Sequence, residues 1–266
     1  MTTTNRPLSG RVAVVTGASR GIGEAIARKL AEAGAAVAVT ARTVDEGDSL
    51  FAGSLATTVA SISDAGGSAL AIAADLSHHE DGERIVATTE RELGPVDILV
   101  NNAAVTFFES VVDFTPRHYD LMFEVQVRAA FDLAQMVLPG MRERHQGWIL
   151  NISSLAGRHP PGPPYAGLPG GTVYGMCKAA LERFTTGLAS EVHDDGVAVN
   201  VLSPSGLVLT PGAYHHRLDQ TTPLEFQEPV DYMVDAAYIL CTGDPAVLTG
   251  KIAYSRKFLK ELQQTS

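Results

Sequence analysis

The segment Tyr174-Gly175-Met176-Cys177-Lys178 holds the residues of this sequence best suited to chemistry. A phenol and an amine four positions apart at the start of a helical pattern share one face, about one turn apart. Such a pair suits proton transfer at an oxygen. A carbonyl taking up hydride needs an acid as charge builds on its oxygen, and an alcohol losing hydride needs the reverse. A phenol titrates near ~10, too high to be a base at neutral pH, but a neighbouring ammonium favours the phenolate. From spacing alone a surface pair is the simpler reading. Tyr165 is a second phenol, but Pro169, not a lysine, lies four residues beyond it.

A second group is Thr16-Gly17-Ala18-Ser19-Arg20-Gly21-Ile22-Gly23. Glycines let the backbone turn tightly and approach a pyrophosphate, whose charge then rests on the N-terminus of the following helix. A lone glycine triplet means little, but this one lies between a predicted strand and a predicted helix, which is the required context. Its GxxxGxG spacing allows a wider turn than GxGxxG. A third group closes the second predicted strand, Thr40-Ala41-Arg42-Thr43. There an acidic side chain would accept from the ribose of NAD, whereas an arginine accommodates the 2′-phosphate of NADP. No acid occupies the position, and Arg20 adds a second positive charge to Arg42. NADP(H) is therefore favoured, with NAD(H) possible.

The elements that must position these groups alternate in kind. Strands are predicted over 12–16, 36–41, 69–74, 98–101, 148–152, 198–202 and 252–254. Helices are predicted from the glycine turn to Gly34 and over 54–65, 79–93, 115–138, 174–193 and 229–240. Thr115-Pro116 gives one helix a side-chain cap and then a proline at its first position. Strands alternating with helices imply right-handed crossovers and a doubly wound parallel sheet of about seven strands, with helices on both faces. Ligands of such sheets lie beyond the carboxyl ends of the strands. Two Gly/Pro-rich segments, 159–171 and 204–212, follow strands and so belong at that edge.

With 266 residues, 45% of them hydrophobic and 6% aromatic, one α/β domain spanning 1–266 is expected. A net charge of −10 argues against a nucleic-acid partner. No apolar run approaches a membrane span, and the first seven residues carry no signal-peptide core. Cys177 and Cys241 read as reduced thiols of an intracellular protein, so a cytoplasmic location is expected. His215-His216 are adjacent, so their side chains should diverge and make a poor metal pair; no metal is expected.

The glycine pattern resembles that of the short-chain dehydrogenase/reductase family, in its compact single-domain branch with a Rossmann-type sheet. Asn101-Asn102-Ala103-Ala104 is similar to the family's Asn-Asn-Ala-Gly motif, with alanine in the glycine position. The similarity runs from about Gly10 to Tyr254. It implies an oxidoreductase passing hydride between a nicotinamide cofactor and a small carbonyl or secondary alcohol. Tyr174 would be the acid/base, Lys178 its neighbour, and Ser154 the hydroxyl that binds the substrate oxygen, with Ser153 the competing serine. It also implies cofactor contacts at Gly17, Ser19, Arg20, Gly21, Ile22, Gly23, Arg42, Asp75 and Leu76 near the adenine, Asn101, Tyr174, Lys178, and Val208 and Thr210 near the carboxamide.

The sequence departs from the family in places. Gln126 stands where an asparagine anchors a water in a proton relay to the lysine. The stretch between Ser154 and Tyr174 is longer than usual, with Pro160, Pro161, Pro163 and Pro164, and is expected to wall the substrate pocket. Loops 156–172 and 205–228 should vary with substrate, and Ala213 to Gln227 should form a lid. Arg42-Thr43, the longer segment up to Ser54, and Asp235-Ala236-Ala237 loosely resemble a hydroxysteroid-dehydrogenase-like subgroup, which names no substrate; the apolar pocket residues imply at most a lipophilic carbonyl. A homo-oligomer, dimer or tetramer, is implied through the helices beginning near Thr115 and Tyr174. Two other readings stay open, a non-catalytic dinucleotide sensor and an acyl-thioester ketoreductase.

Overall fold

Short β-branched runs and amphipathic segments alternate as expected in the computed structural model, which describes residues 6–160, 162–163 and 168–265. The order is β1 (Val12–Thr16), α1 (Gly21–Glu32), β2 (Ala36–Ala41), α2 (Leu55–Asp64), β3 (Ser68–Ala73), α3 (His79–Glu92) and β4 (Ile98–Asn101). Then come α4 (Pro116–Phe123), α5 (Ala129–Glu143), β5 (Gly147–Ile152), α6 (Thr172–Glu191) and β6 (Val197–Ser203). The last third holds β7 (Leu207–Val208), α7 (Pro211–His215), α8 (Leu218–Thr221), β8 (Gln227–Glu228), α9 (Asp231–Leu240), β9 (Ile252–Tyr254) and α10 (Ser255–Thr265).

Seven strands form one parallel sheet in the order β3-β2-β1-β4-β5-β6-β9. The order reverses between β1 and β4, so the crevice past their carboxyl ends is where a ligand belongs. Both faces of the sheet are covered. Ala13 and Val15 of β1 enter one core with Ile26 and Leu30 of α1, while Val14 between them enters the other with Leu133 and Val137 of α5. This is the period-two alternation of a strand buried on both sides. Each fully buried Val, Leu or Ile contributes ~1.5–3 kcal/mol, so the strand ends are held by a stiff frame.

Caps fix where the helices start. Ser54 and Thr57 cap α2 reciprocally, and Thr115 accepts from the His118 N–H with Pro116 at the first position of α4.

The helix expected over 115–138 differs in two ways. A π-helical turn, Glu124–Arg128, separates α4 from α5, and α5 continues through Pro139 to Glu143. Pro139 is tolerated because it lies on the exposed face, where the carbonyl it leaves unpaired can meet water. Helix α10 was not expected from the sequence. Its buried Phe258, with Leu259 and Leu262, packs into the core that holds α9.

Candidate active site

The glycine turn follows β1 directly, and its geometry explains its residues. Gly17 takes φ +64, and a Cβ there would lie 2.9 Å from the Ala103 Cα. At Gly23 a Cβ would lie 2.3 Å from Asn102 Nδ2 and 2.5 Å from the Gly17 carbonyl oxygen. Asn102, the second residue of the Asn-Asn motif, holds the turn: Nδ2 donates to the Thr16 and Gly17 carbonyls at 2.9 and 3.1 Å. Thr16 Oγ1 in turn accepts from the N–H groups of Asn102 and Ala103. The turn delivers the N-terminus of α1 to a cleft of about 1610 Å³ lined by Gly17, Ser19, Arg20, Gly21 and Ile22. Glycines too close-packed to carry a side chain, ending at a helix N-terminus, fit a pyrophosphate.

The same cleft is lined by Ser154, Tyr174 and Lys178. A buried polar chain fixes the helix that carries the last two. Asn101 on β4 donates to Asn151 on β5, its register partner, at 2.9 Å, and Asn151 donates to Thr185 of α6 at 2.8 Å. Lys178 is buried and donates to the Ile152 carbonyl at 2.9 Å, with its ammonium 5.6 Å from the Tyr174 ring centre.

The strand pleat separates the two serines. Ser154 lines the cleft beside Tyr174, with its Oγ accepting from the Ala156 N–H at 3.2 Å, while Ser153 turns away and donates to Glu182 at 2.9 Å. The expected pull of the ammonium on the phenol is outweighed. Burial pushes the Tyr174 pKa up, against the hydrogen bond from Ser154, and the nearby Cys177 also raises it. Burial pulls Lys178 down to about 8, with Cys177 and Glu182 acting the other way.

At the other end of the cleft, Arg42 follows β2 with its guanidinium 3.9 Å from the Asp75 carboxylate. Asp75 also accepts from Ser77, and both Asp75 and Leu76 line the cleft. Arg20 is engaged more than expected. It donates to the Gly53 carbonyl at 2.6 Å and stands 5.5 Å from the Phe51 ring, while its Nε is buried without a partner. Burial lowers the Arg20 pKa, Glu46 raises it, and Arg42 lowers it again, so the two guanidiniums feel each other. Val208 lines the cleft, and Thr210 reaches the glycine turn: a Cβ on Gly21 would lie 3.2 Å from the Thr210 methyl.

Two of the expected residues are held by protein partners. The side chain of Asn101 does not enter the cleft, because the pleat turns it into the sheet toward Asn151. Gln126, expected in a relay to Lys178, is buried in the π turn and donates to the Val105 carbonyl at 2.8 Å. Its Oε1 has no partner. Glutamine thus ties down the segment after β4.

That segment, 105–109, forms a roof that the sequence did not reveal. Thr106 Oγ1 lies 2.9 Å from His216 Nε2, Phe107 stacks on His118 at 3.8 Å, and Glu109 pairs with His118 at 3.0 Å. Phe108 meets both Tyr174 and His216 edge-on, at 5.8 and 4.7 Å between ring centres. His215 and His216 do not diverge: their rings lie 5.0 Å apart, and His215 meets Phe51 at 5.1 Å. Among the described residues no cluster could hold a metal. The long loop reaches this roof at Gly170, where a Cβ would lie 2.6 Å from the backbone of Phe108 and Glu109. Pro161, Pro164 and Tyr165 lie outside the described residues.

Comparison with known proteins agrees with this geometry. A sequence model of the short chain dehydrogenase family matches residues 11–220. The human dehydrogenase/reductase SDR family member 4 is 34% identical over 254 residues, covering 92% of this chain and 86% of that protein. A 3-oxoacyl-(acyl-carrier-protein) reductase of Vibrio cholerae is 34% identical over 250 residues, covering 92% and 95%. The crystal structure of a metagenomic short-chain oxidoreductase in complex with NADP superposes with a TM-score of 0.76 at 32% identity, covering 93% of this chain and 97% of that one. The chain therefore belongs to the short-chain dehydrogenase/reductase family and is an NAD(P)-binding oxidoreductase of its parallel-sheet fold.

Proposed function

We propose that the protein passes a hydride between NADP(H) and a carbonyl or secondary alcohol of a small lipophilic substrate. The observation that carries this reading is the convergence of Ser154, Tyr174 and Lys178 on the cleft that the glycine turn enters. When bound, the nicotinamide supplies or accepts the hydride. Ser154 donates to the substrate oxygen and steadies charge developing there. Tyr174, kept protonated at neutral pH by its burial, gives its phenolic proton to that oxygen in reduction and takes it back in oxidation. Lys178 is held by the Ile152 carbonyl at the back of the site. Gln126 positions the roof through Val105.

Arg42 and Arg20 favour the 2′-phosphate of NADP, since a guanidinium meets phosphate with a fork of donors. Asp75 and Leu76 would meet the adenine, and Val208 and Thr210 the carboxamide, while Asn101 lies at the end of β4 beside the cleft-lining Asn102. The whole chain acts as one unit, and loops 156–172 and 205–228 enclose the substrate. The exposed Phe131 of α5, 5.7 Å from Phe184 of α6, supports homo-oligomerisation through these helices. Among the described residues no helix is long and apolar enough to cross a membrane, and both cysteines are free; we place the protein in the cytoplasm.

An NADPH-oxidation screen over ketones, quinones, steroids and acyl thioesters tests the reading. Turnover of ketones is the expected result, and turnover of none of the four classes would sink it. The similarity to a 3-oxoacyl-(acyl-carrier-protein) reductase supports a second reading, acyl-thioester reduction, which the thioester arm of the screen addresses.

A further inference from the structure

The 205–228 loop is closed at its neck by one carboxylate. Ser203 of β6 and Tyr254 of β9 are register partners at the sheet edge, so the residues just past them, Ser205 and Ser255, meet. The Ser205 N–H donates to Ser255 Oγ at 2.9 Å, and the Arg256 N–H donates to Ser205 Oγ at 3.0 Å. Glu228, at the far end of the loop, is buried against this junction. Its Oε1 accepts from the Ser205 N–H at 3.1 Å and from the Ser255 hydroxyl at 2.6 Å, and its Oε2 accepts from Arg256 Nε at 3.0 Å. Arg256 also donates to the Gln227 carbonyl and stands 5.4 Å from the Tyr232 ring. The two ends of the loop pass so close that a Cβ on Gly206 would strike the Phe226 carbonyl oxygen.

We propose that Glu228 is a positioning residue for the cofactor: with Arg256 it clamps both ends of the 205–228 loop to the start of α10, and so sets Val208 and Thr210 against the nicotinamide end of the cleft. The inference rests on the reading, given above, that these two residues meet the carboxamide. Glu228, Ser255 and Arg256 do not line the cleft themselves, whereas Ser205, Val208 and Thr210 do. The clamp therefore acts through the loop it holds.

The route from the clamp to the cleft is short. Strands β7 and β8 pair Leu207 with Gln227 and Val208 with Glu228. Two strands of this length do not hold together by themselves. A buried carboxylate is costly unless it is paired and hydrogen-bonded, so Glu228 stays where all three of its partners can reach it. That fixes β8 and, through the register, Val208 on β7. Two residues on, Thr210 packs against Gly21 of the glycine turn, and its Oγ1 accepts from the Ala213 N–H to start α7. The contacts expected for the adenine and the 2′-phosphate, from Arg20, Arg42 and Asp75, come from β2, β3 and the glycine turn, which the clamp does not touch. Loosening the clamp should therefore be felt at one end of the cofactor only.

The test is calorimetric titration of NADPH and of adenosine 2′,5′-bisphosphate, which lacks the nicotinamide half, into wild type, Glu228→Gln, Arg256→Met and Arg256→Lys. Glu228→Gln and Arg256→Met are expected to weaken NADPH about tenfold, the loss of a hydrogen bond between charged groups, while the bisphosphate stays within about twofold. Arg256→Lys, which keeps the charge, should lose less. If Glu228→Gln or Arg256→Met fails to fold, Ser255→Ala, which removes a single hydroxyl from the clamp, decides in its place and should shift NADPH in the same direction. Equal weakening of both ligands, or no change in either, overturns the proposal. Amide hydrogen exchange of residues 207–210 in wild type is measured alongside. If NADPH protects them no more than the bisphosphate does, the reading of Val208 and Thr210 fails; if it protects them while the variants keep the wild-type ratio of affinities, only the clamp fails.

Discussion

The floor of the cleft is made of strand ends and the first turns of α1 and α6, whereas its roof is made of the 105–109 segment, the described residues 168–171 before α6, and α7. The floor is tied by backbone geometry and buried hydrogen bonds: Asn102 on the Gly17 carbonyl, Asn101 through Asn151 to Thr185, and Lys178 on the Ile152 carbonyl. The roof combines side-chain polar ties, Gln126 to Val105, Thr106 to His216 and Glu109 to His118, with a run of rings, Phe51 to His215, His215 to His216, and His216 to Phe108. Ring pairs are worth ~0.5–1.5 kcal/mol each, while breaking a buried hydrogen bond leaves groups unpaired at ~1–3 kcal/mol each. The floor can therefore hold reacting atoms in place, and the roof can change with the substrate while the floor stays the same.

Substitutions can break or sharpen this contrast. The largest effect is expected at Tyr174→Phe, which should remove ~10²–10⁴-fold of turnover and leave Tm and NADPH binding unchanged. Retention of more than about a tenth of the rate on a verified substrate would remove Tyr174 from its role. Gly23→Ala should come next, because its Cβ would press on the Asn102 side chain and fall 2.5 Å from the Gly17 carbonyl oxygen, on backbone that cannot yield. Overpacking of this kind costs ~1–3 kcal/mol, so a lower Tm and a weakened NADPH Kd are expected together. An unchanged Kd would mean that the turn is more pliant than the floor picture allows.

Arg42→Asp tests the outer edge of the floor. A hydrogen bond to a charged group is worth ~1.5–3 kcal/mol, and Arg42 is 66% exposed, which keeps the effect near the lower end. NADPH affinity should fall about tenfold or more, with NADH affinity held or improved. Fluorescence titration of both reduced cofactors reads this, and wild type binding NADH as well as NADPH would overturn the NADP preference. The smallest effect should come from the roof. Phe108→Leu removes ring contacts to Tyr174 and His216, so KM should shift by ~2–10-fold, unequally across ketones, with kcat and cofactor affinity nearly constant. A uniform collapse of kcat would mean that the roof takes part in the chemistry.

The sequence was most legible where backbone needs dictate residue type. The strands expected over 12–16, 36–41 and 98–101 match β1, β2 and β4, because strands buried on both faces read as short apolar runs between turns. The glycine turn was equally plain, and so was the shared helix face of Tyr174 and Lys178. Helix α10 was missed although Phe258 and Leu262 stand at helical spacing among charges. The π turn at Glu124–Arg128 leaves no such trace, since a π turn differs from an α turn in hydrogen bonding and not in residue type.

By itself, then, the sequence determined the sheet, the turn that receives a pyrophosphate, and the pairing of phenol and amine, because each follows from periodicity, backbone freedom or spacing within one element. Only the tertiary structure decided which serine faces Tyr174 and which holds Glu182, that Asn101 belongs to the sheet and Asn102 to the turn, that Gln126 anchors Val105, and that two neighbouring histidines close the roof. In each case the partner lies far along the chain, and no local pattern can say which way a side chain turns when two elements meet.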